Sequence, residues 1–227
     1  MSIEIEQTNV TGNMTLGDLV DTHPLASKVL IQHGLDFCCG GRSSLTDACE
    51  ASGLDVNGIL EEIQSTHANT EERRWSEATT EELVAHILDA YHEPLPEMLA
   101  HLQEMMTRVF ERHGPSDPQR IGTLQQMIVA LANELPDHTA KEEQVLFPLI
   151  LSKSGLPPTG PIRCMLMEHD RAGAILNRIV ELTDCFTVPE GACTTWRGLY
   201  AGLRHLDHEL RLHIHLENNV LFPRLVR

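Results

Sequence analysis

The sequence predicts an all-α protein: an up-down-up-down four-helix bundle preceded by a small helical domain. Three observations carry that expectation. Aromatic residues make up only 4% of the chain and few stretches alternate apolar with polar residues, so a sheet has little to build from. Helix-start signals recur, as in Ser44–Asp47, Thr79–Glu82 and Asp117–Pro118. An eleven-residue pattern, His-x3-Glu-x2-Val-Leu-Phe-Pro, occurs twice, at His138–Pro148 and His213–Pro223.

The elements follow in order. Residues 1 to about 14 read as a loose tail. A small helical region follows, with Pro24 at a first helical position and Gly34 as its stop. Asp36-Phe37-Cys38-Cys39-Gly40-Gly41 reads as a tight turn. Ser44 to Asp47 starts a short helix ending near Gly53, and another runs from about Val56 to Gln64. Residues 1–66 thus form a small domain, marginal alone, and polar residues 67–78 a linker that Trp75 pins to the bundle.

The bundle occupies residues 79–227. Thr79 to Glu82 opens a first helix reaching about His113, with Pro94 and Pro96 inside it and a kink expected just after His92. Asp117 and Pro118 start a second helix to about Lys153, with Pro136 as another kink point. After the loop Gly155–Pro161 the third helix runs to about Asp184, and after Pro189–Gly191 the fourth runs from Thr194 or Thr195 to near the end.

On a helix, residues i and i+4 share a face. His138 therefore points with Glu142, and His213 with Glu217. The repeat extends upstream: His92 lies 46 residues before His138, and His169 lies 44 before His213. His92 stands 21 residues from the end of its helix and His138 20 residues into the next. At about 1.5 Å per residue the two return to one height. The second unit matches more loosely, with 15 and 19 residues. His92, His138, Glu142, His169, His213 and Glu217 are thus the candidate metal ligands. Four imidazoles and two carboxylates suit a two-metal centre with bridging carboxylates, best filled by two non-haem iron ions. Ferritin-like di-iron sites use Glu-x2-His pairs and more carboxylate, so this is a different class.

Other residues carry weaker signals. Glu134, Glu168 and Glu209 are candidates for groups beside the ligands or along an ion path. Cys38 and Cys39 read as a functional thiol pair, and Cys49, Cys164, Cys185 and Cys193 as packing residues. His101 and His215 are expected in solvent, His86, His205 and His208 at the rim, and His113 far from the proposed level. The two Val-Leu-Phe-Pro segments read as apolar packing at the bundle end.

The net charge of -16 argues against nucleic acid and anionic membrane surfaces as partners. The amino terminus has no basic region followed by an apolar run, and no segment reads as membrane-spanning, so a cytoplasmic protein with free thiols is expected.

At these residues the chain resembles the Repair of Iron Centres family, di-iron proteins that repair iron–sulfur clusters. Asp36-Phe37-Cys38-Cys39-Gly40-Gly41 is similar to that family's amino-terminal signature. The bundle is similar to its haemerythrin-like domain, including Thr194-Thr195-Trp196, the segment Leu216–Pro223 and Glu168 beside His169. Pro94, Pro96 and Pro136 depart from the family pattern. The resemblance implies a non-haem di-iron centre at the six positions above. It also implies restoration of iron–sulfur proteins damaged by nitric oxide or oxidants. Damaged iron–sulfur proteins, nitric oxide or oxygen, and a second copy of the chain are then the candidate partners. The rival expectation is a haemerythrin-like carrier or sensor of oxygen or nitric oxide without turnover, and a metal-storage bundle is a third.

Overall fold

The computed structural model describes residues 10–66, 73–152 and 157–225. Most of the expected tail, the first half of the expected linker, and the junction around Lys153 and Gly155 lie outside them. Among the described residues all regular elements are helical, and no helix is long and apolar enough to cross a membrane.

Among the described residues the amino-terminal part holds four short helices: α1 (Leu16–Thr22), α2 (Ala26–Gln32), α3 (Leu45–Ser52) and α4 (Val56–Ser65). The single helical region expected before Gly34 is in fact the pair α1 and α2. Pro24 lies between them, in the turn that leads into α2, where its carbonyl accepts from Ser27 N at 3.1 Å. Thr15 caps α1 by accepting from Asp18 N at 3.1 Å, and Ser44 caps α3 by accepting from Asp47 N at 3.1 Å. Gly34 and Gly53 end α2 and α3 with φ of +69°, a conformation that favours glycine.

The bundle comprises α5 (Thr80–Ile87), α6 (Leu95–His113), α7 (Pro118–Lys141), α8 (Phe147–Leu151), α9 (Thr159–Leu182) and α10 (Thr194–His215). Thr79 and Glu82 form the expected capping box, and Asp117 caps α7 by accepting from Arg120 N at 3.1 Å. Helix α6 packs on α7, α7 on α9, α9 on α10 and α10 on α6, closing an antiparallel ring. Each helix buries a stripe at three- and four-residue spacing, such as Leu95, Leu99, Leu102, Met106 and Val109 on α6.

Three of the four long helical segments widen at one place. α5 passes into α6 through a π turn at Leu88–His92, α7 into α8 through Glu142–Leu146, and α10 ends in Leu216–Leu221. Each π turn stops two residues before a proline: Pro94, Pro148 and Pro223. A proline donates no hydrogen bond, and its ring pushes away the carbonyl four residues back. In each case the residue just before it donates instead to the carbonyl five back: Glu93 to Leu88, Phe147 to Glu142, and Phe222 to Glu217. The kink expected after His92 is therefore a π turn. Pro94 and Pro96 stand at the start of α6 rather than in its interior. Pro136 does lie inside α7, which continues through it.

The third helix stops at Leu182, earlier than expected. Asp184, Cys185 and Phe186 follow with φ of 49°, 52° and 59°, a left-handed turn after the helix.

One buried apolar cluster runs from Leu16, Leu30 and Phe37 into Leu206, Leu210 and Ile214, so the amino-terminal helices and the bundle share a core. Trp75 stacks on His86 with centroids 3.9 Å apart, and Ser76 N donates to Asp21 Oδ1 at 3.0 Å. Trp75 thus ties the linker to the bundle as expected. A second cluster, with Leu146, Phe147, Val220, Leu221 and Phe222, closes the bundle end. Val145 departs from the packing expectation: the π turn leaves it 49% exposed.

Candidate metal centre

The six repeat-derived residues occupy core positions. His92, His138, His169 and His213 are buried, and Glu142 and Glu217 have no exposed surface. His92 Nε2 lies 3.2 Å from His213 Nε2 and 3.4 Å from Glu142 Oε2. His213 Nε2 lies 3.5 Å from Glu217 Oε1. On the other side, His138 Nε2 is 3.2 Å from His169 Nε2 and 3.2 Å from Glu142 Oε1. His169 Nε2 is 3.1 Å from Glu217 Oε2. Each carboxylate turns one oxygen toward each histidine pair. Both groups of four, His92–Glu142–His213–Glu217 and His138–Glu142–His169–Glu217, converge to within 4.8 Å.

This donor set fits a pair of cations. None of the four carboxylate oxygens accepts a hydrogen bond, although all are buried, and buried charge without a partner is costly. The surroundings answer that negative charge. Burial disfavours a charged ring at His138, yet Glu142, Glu217 and Glu168 push it up to about 9. Burial likewise opposes ionisation of Glu217, yet the His213 and His169 rings hold its carboxyl well below the usual range. Imidazole with carboxylate suits iron, manganese or zinc.

The distal ring nitrogens are held too. His92 Nδ1 donates to Glu143 Oε1 at 2.9 Å, His138 Nδ1 to Glu168 Oε2 at 2.9 Å, and His169 Nδ1 to Asn218 Oδ1 at 2.7 Å. A proton on Nδ1 leaves the Nε2 lone pair for a metal. Glu143 and Asn218 occupy the same position, one past the repeated glutamate, in the two copies. Phe147 stacks on His92 and Phe222 on His169, again from equivalent positions. The symmetry breaks in two places: Glu143 is a carboxylate where Asn218 is an amide, and the residues before His92 and His169 differ. Glu168 precedes His169 and bonds His138; its counterpart Tyr91 precedes His92 and stacks on His213, with centroids 5.5 Å apart. Burial would raise the Glu168 carboxyl, but its bonds from Lys141 and His138 hold it at about 2.

Two clefts reach the centre from outside. One is lined by Glu134, Asp137, Lys141 and Glu168 and reaches His138 and His169. The other is lined by Ala90, Tyr91, Pro94, Met98 and Glu209 and reaches His213. Glu134 is exposed on the rim of the first, and Glu209 is bonded to His208 at 3.1 Å.

The Cys38–Cys39 turn lies against the centre. Cys39 Sγ is 3.7 Å from the His169 carbonyl, and the two sulfurs are 3.8 Å apart. A hydrogen bond with Cys39, burial and the nearby Asp36 carboxylate push the Cys38 thiol well up. Arg211, buried beside them, is paired with Asp207 at 2.9 Å and Asn177 at 2.8 Å.

Some expectations change. His215 is not in solvent: it is 2% exposed and meets the Phe37 ring edge-on at 5.7 Å, because the amino-terminal helices cover that face of α10. Burial lowers its pKa to about 4. His101 is exposed as expected. Cys49 is buried, but Cys164, Cys185 and Cys193 are exposed, since they fall at the bundle surface and in the loop before α10. Glu143, Asn218 and Tyr91 are not singled out in the sequence as partners of the histidines, and Phe147 and Phe222 are read there only as apolar packing. The signal for four of them was the repeat itself, read at matched positions beyond His and Glu.

Fold and donor set together define a haemerythrin-like protein. Residues 83–225 match the family model described as Hemerythrin HHE cation binding domain, and residues 12–67 match Domain of Unknown function (DUF542). Two relatives are named Iron-sulfur cluster repair protein YtfE, from Yersinia pestis (strain Pestoides F) and Yersinia pseudotuberculosis serotype O:1b (strain IP 31758). Each is 39% identical over 220 residues, covering 95% of this chain and 97% of its own. The chain belongs to the family of these iron–sulfur cluster repair proteins.

Proposed function

We propose that the chain repairs iron–sulfur clusters damaged by nitric oxide or oxidants, using two non-haem iron ions held by His92, His138, Glu142, His169, His213 and Glu217. The observation that carries this reading is the pair of fully buried carboxylates, each spanning both histidine pairs. The name of the relatives supports the choice of repair.

Bound there, iron would supply two Lewis-acidic, redox-active ions able to take nitric oxide or oxygen, and exchangeable iron for a damaged cluster. The chain's own residues set the terms. Glu142 and Glu217 hold the ions as a pair, and Glu143, Glu168 and Asn218 keep the ring protons on Nδ1. The cleft with Glu134, Asp137 and Glu168 on its wall gives a cation a polar way out. Cys38 and Cys39 serve the damaged protein or carry a thiol-bound group. Their client is an iron–sulfur protein in the same compartment, taken to be the cytoplasm.

The second reading, a carrier or sensor of oxygen or nitric oxide without turnover, draws on the other cleft. Its largely apolar wall of Ala90, Pro94, Leu95, Met98 and Leu206 suits a small neutral molecule.

The test is recovery of a nitric-oxide-treated iron–sulfur dehydratase. Wild type should restore activity, Glu217→Leu should not, and Cys38→Ala/Cys39→Ala should do so poorly at matched iron content. Full recovery with the cysteine variant would return the weight to the metal centre alone. No recovery with any version, beside reversible gas binding, would favour the carrier.

A further inference from the structure

Three consecutive residues of the last π turn perform three different tasks. Glu217 enters the metal centre. Asn218 accepts the His169 Nδ1 proton through Oδ1 and donates from Nδ2 to the Cys38 carbonyl at 3.1 Å. Asn219 donates from Nδ2 to the Phe37 carbonyl at 3.1 Å and the Cys38 carbonyl at 3.2 Å. The Cys38 carbonyl therefore receives both amides. The Asn218 amide can serve His169 and Cys38 together in one orientation only, because its oxygen accepts and its nitrogen donates. The fit is close: a Cβ on Gly41 would strike the Asn219 side chain and the Phe37 carbonyl.

These bonds join a histidine ring of the centre to the backbone of the cysteine turn. We propose that Asn218 and Asn219 form a latch through which occupancy of the metal centre controls how firmly the Cys38–Cys39 turn is seated. The latch rests on metal binding at the centre described above. A metal ion held by His169 and Glu217 would fix that ring with its Nδ1 proton toward Asn218 and would hold Glu217 in place. Both constraints order the π turn and its two amides. With the ions gone, His169 is free to change tautomer, the facing carboxylates repel, and the amides lose their fixed aim. The turn then opens and both thiols become accessible. Coupling of this kind is reciprocal, so loosening the turn must weaken metal retention by the same factor. Asn218 and Asn219 are thus positioning residues, and a centre that has given up its iron presents its cysteines.

The test is amide hydrogen exchange of residues 36–41, comparing metal-free protein with the same protein loaded anaerobically with ferrous iron alone. In wild type, iron should slow that exchange about tenfold, within the usual range of such couplings, while α4, away from the seam, changes little. Asn219→Ala touches no proposed ligand. It should abolish the iron dependence of exchange and speed iron loss to a chelator. Asn218→Asp keeps an acceptor for His169 but loses the donor to Cys38, so it should retain more iron than Asn218→Ala while also losing the dependence. Exchange at 36–41 that is the same with and without iron in wild type overturns the latch, with no variant needed. A slowing shared equally by α4, or wild-type iron release from Asn219→Ala, overturns it as well. Failure of the latch with two ions bound leaves the repair reading standing. A working latch without cluster repair defeats the repair reading and leaves the latch.

Discussion

Glu168 accepts a 2.9 Å hydrogen bond from His138 Nδ1, whereas Tyr91, its counterpart in the other half of the repeat, stacks on His213. The two halves of the centre are therefore unequal although their direct donors match. A carboxylate behind a ligating histidine strengthens it, and its loss typically lowers metal affinity about 10- to 100-fold. Glu168→Leu should weaken one of the two proposed ions by that order, and Tyr91→Phe should leave both in place. Stepwise competition with a chelator reads the two ions separately, and equal weakening of both by Glu168→Leu would contradict the inequality.

The shared carboxylates lead to a different pattern. Each of Glu142 and Glu217 turns an oxygen to both histidine pairs. Two irons per chain are expected from elemental analysis of anaerobically purified protein. Glu142→Leu or Glu217→Leu should lose both ions together while the helix content survives. His101→Leu, at an exposed position, should keep both. One zinc per chain, or equal retention in all three variants, would refute the assignment.

The common core predicts a stability effect at a residue that is not a metal ligand. Phe37 is fully buried where the amino-terminal helices meet α10. Truncating a buried phenylalanine costs about 3–5 kcal/mol. Urea unfolding of Phe37→Ala should show a loss of that size in a single transition. Unchanged stability, or separate transitions for the two parts, would mean that the seam carries little of the folding energy.

Two glycines should behave oppositely. Gly41→Ala places a methyl against Asn219 and the Phe37 carbonyl, and overpacking costs about 1–3 kcal/mol. Gly160→Ala, in α9 with nothing within 4 Å of its new methyl, should be neutral or stabilising by up to about 1 kcal/mol. Thermal melts of the two variants against wild type would decide.

The candidate donors were legible because they repeat. His-x3-Glu in a matched frame, with one more histidine upstream of each copy, places six side chains by helical geometry alone. The partners of those donors were less legible. Glu168 stood out by adjacency, but Asn218 gains meaning only once Cys38, 180 residues away, arrives beside it. His215 misled for the same reason. A helical wheel shows that it faces away from His213, not that Phe37 will cover it. Local signals set the caps at Thr79 and Asp117, whereas Pro94 looked like a helix interior because a π turn lets the chain continue into α6. What the sequence hid were contacts between distant segments and the way a helix absorbs a proline.

The three π turns have a consequence for the counting of residues. In an α-helix one residue advances the chain by about 100°. Each π turn holds one residue more than a regular turn, so the segments on either side are out of phase with a continuous helix. Removing one residue from Leu88–His92 would heal the helix and swing Thr80–Ile87, with its buried Leu83, Val84 and Ile87, away from the face it now fills. The same arithmetic applies at Glu142–Leu146 and Leu216–Leu221. A single-residue gap at these three places is thus not a trivial length variation but a rotation of everything beyond it. Any redesign or comparison of such chains has to keep that phase before it counts histidines.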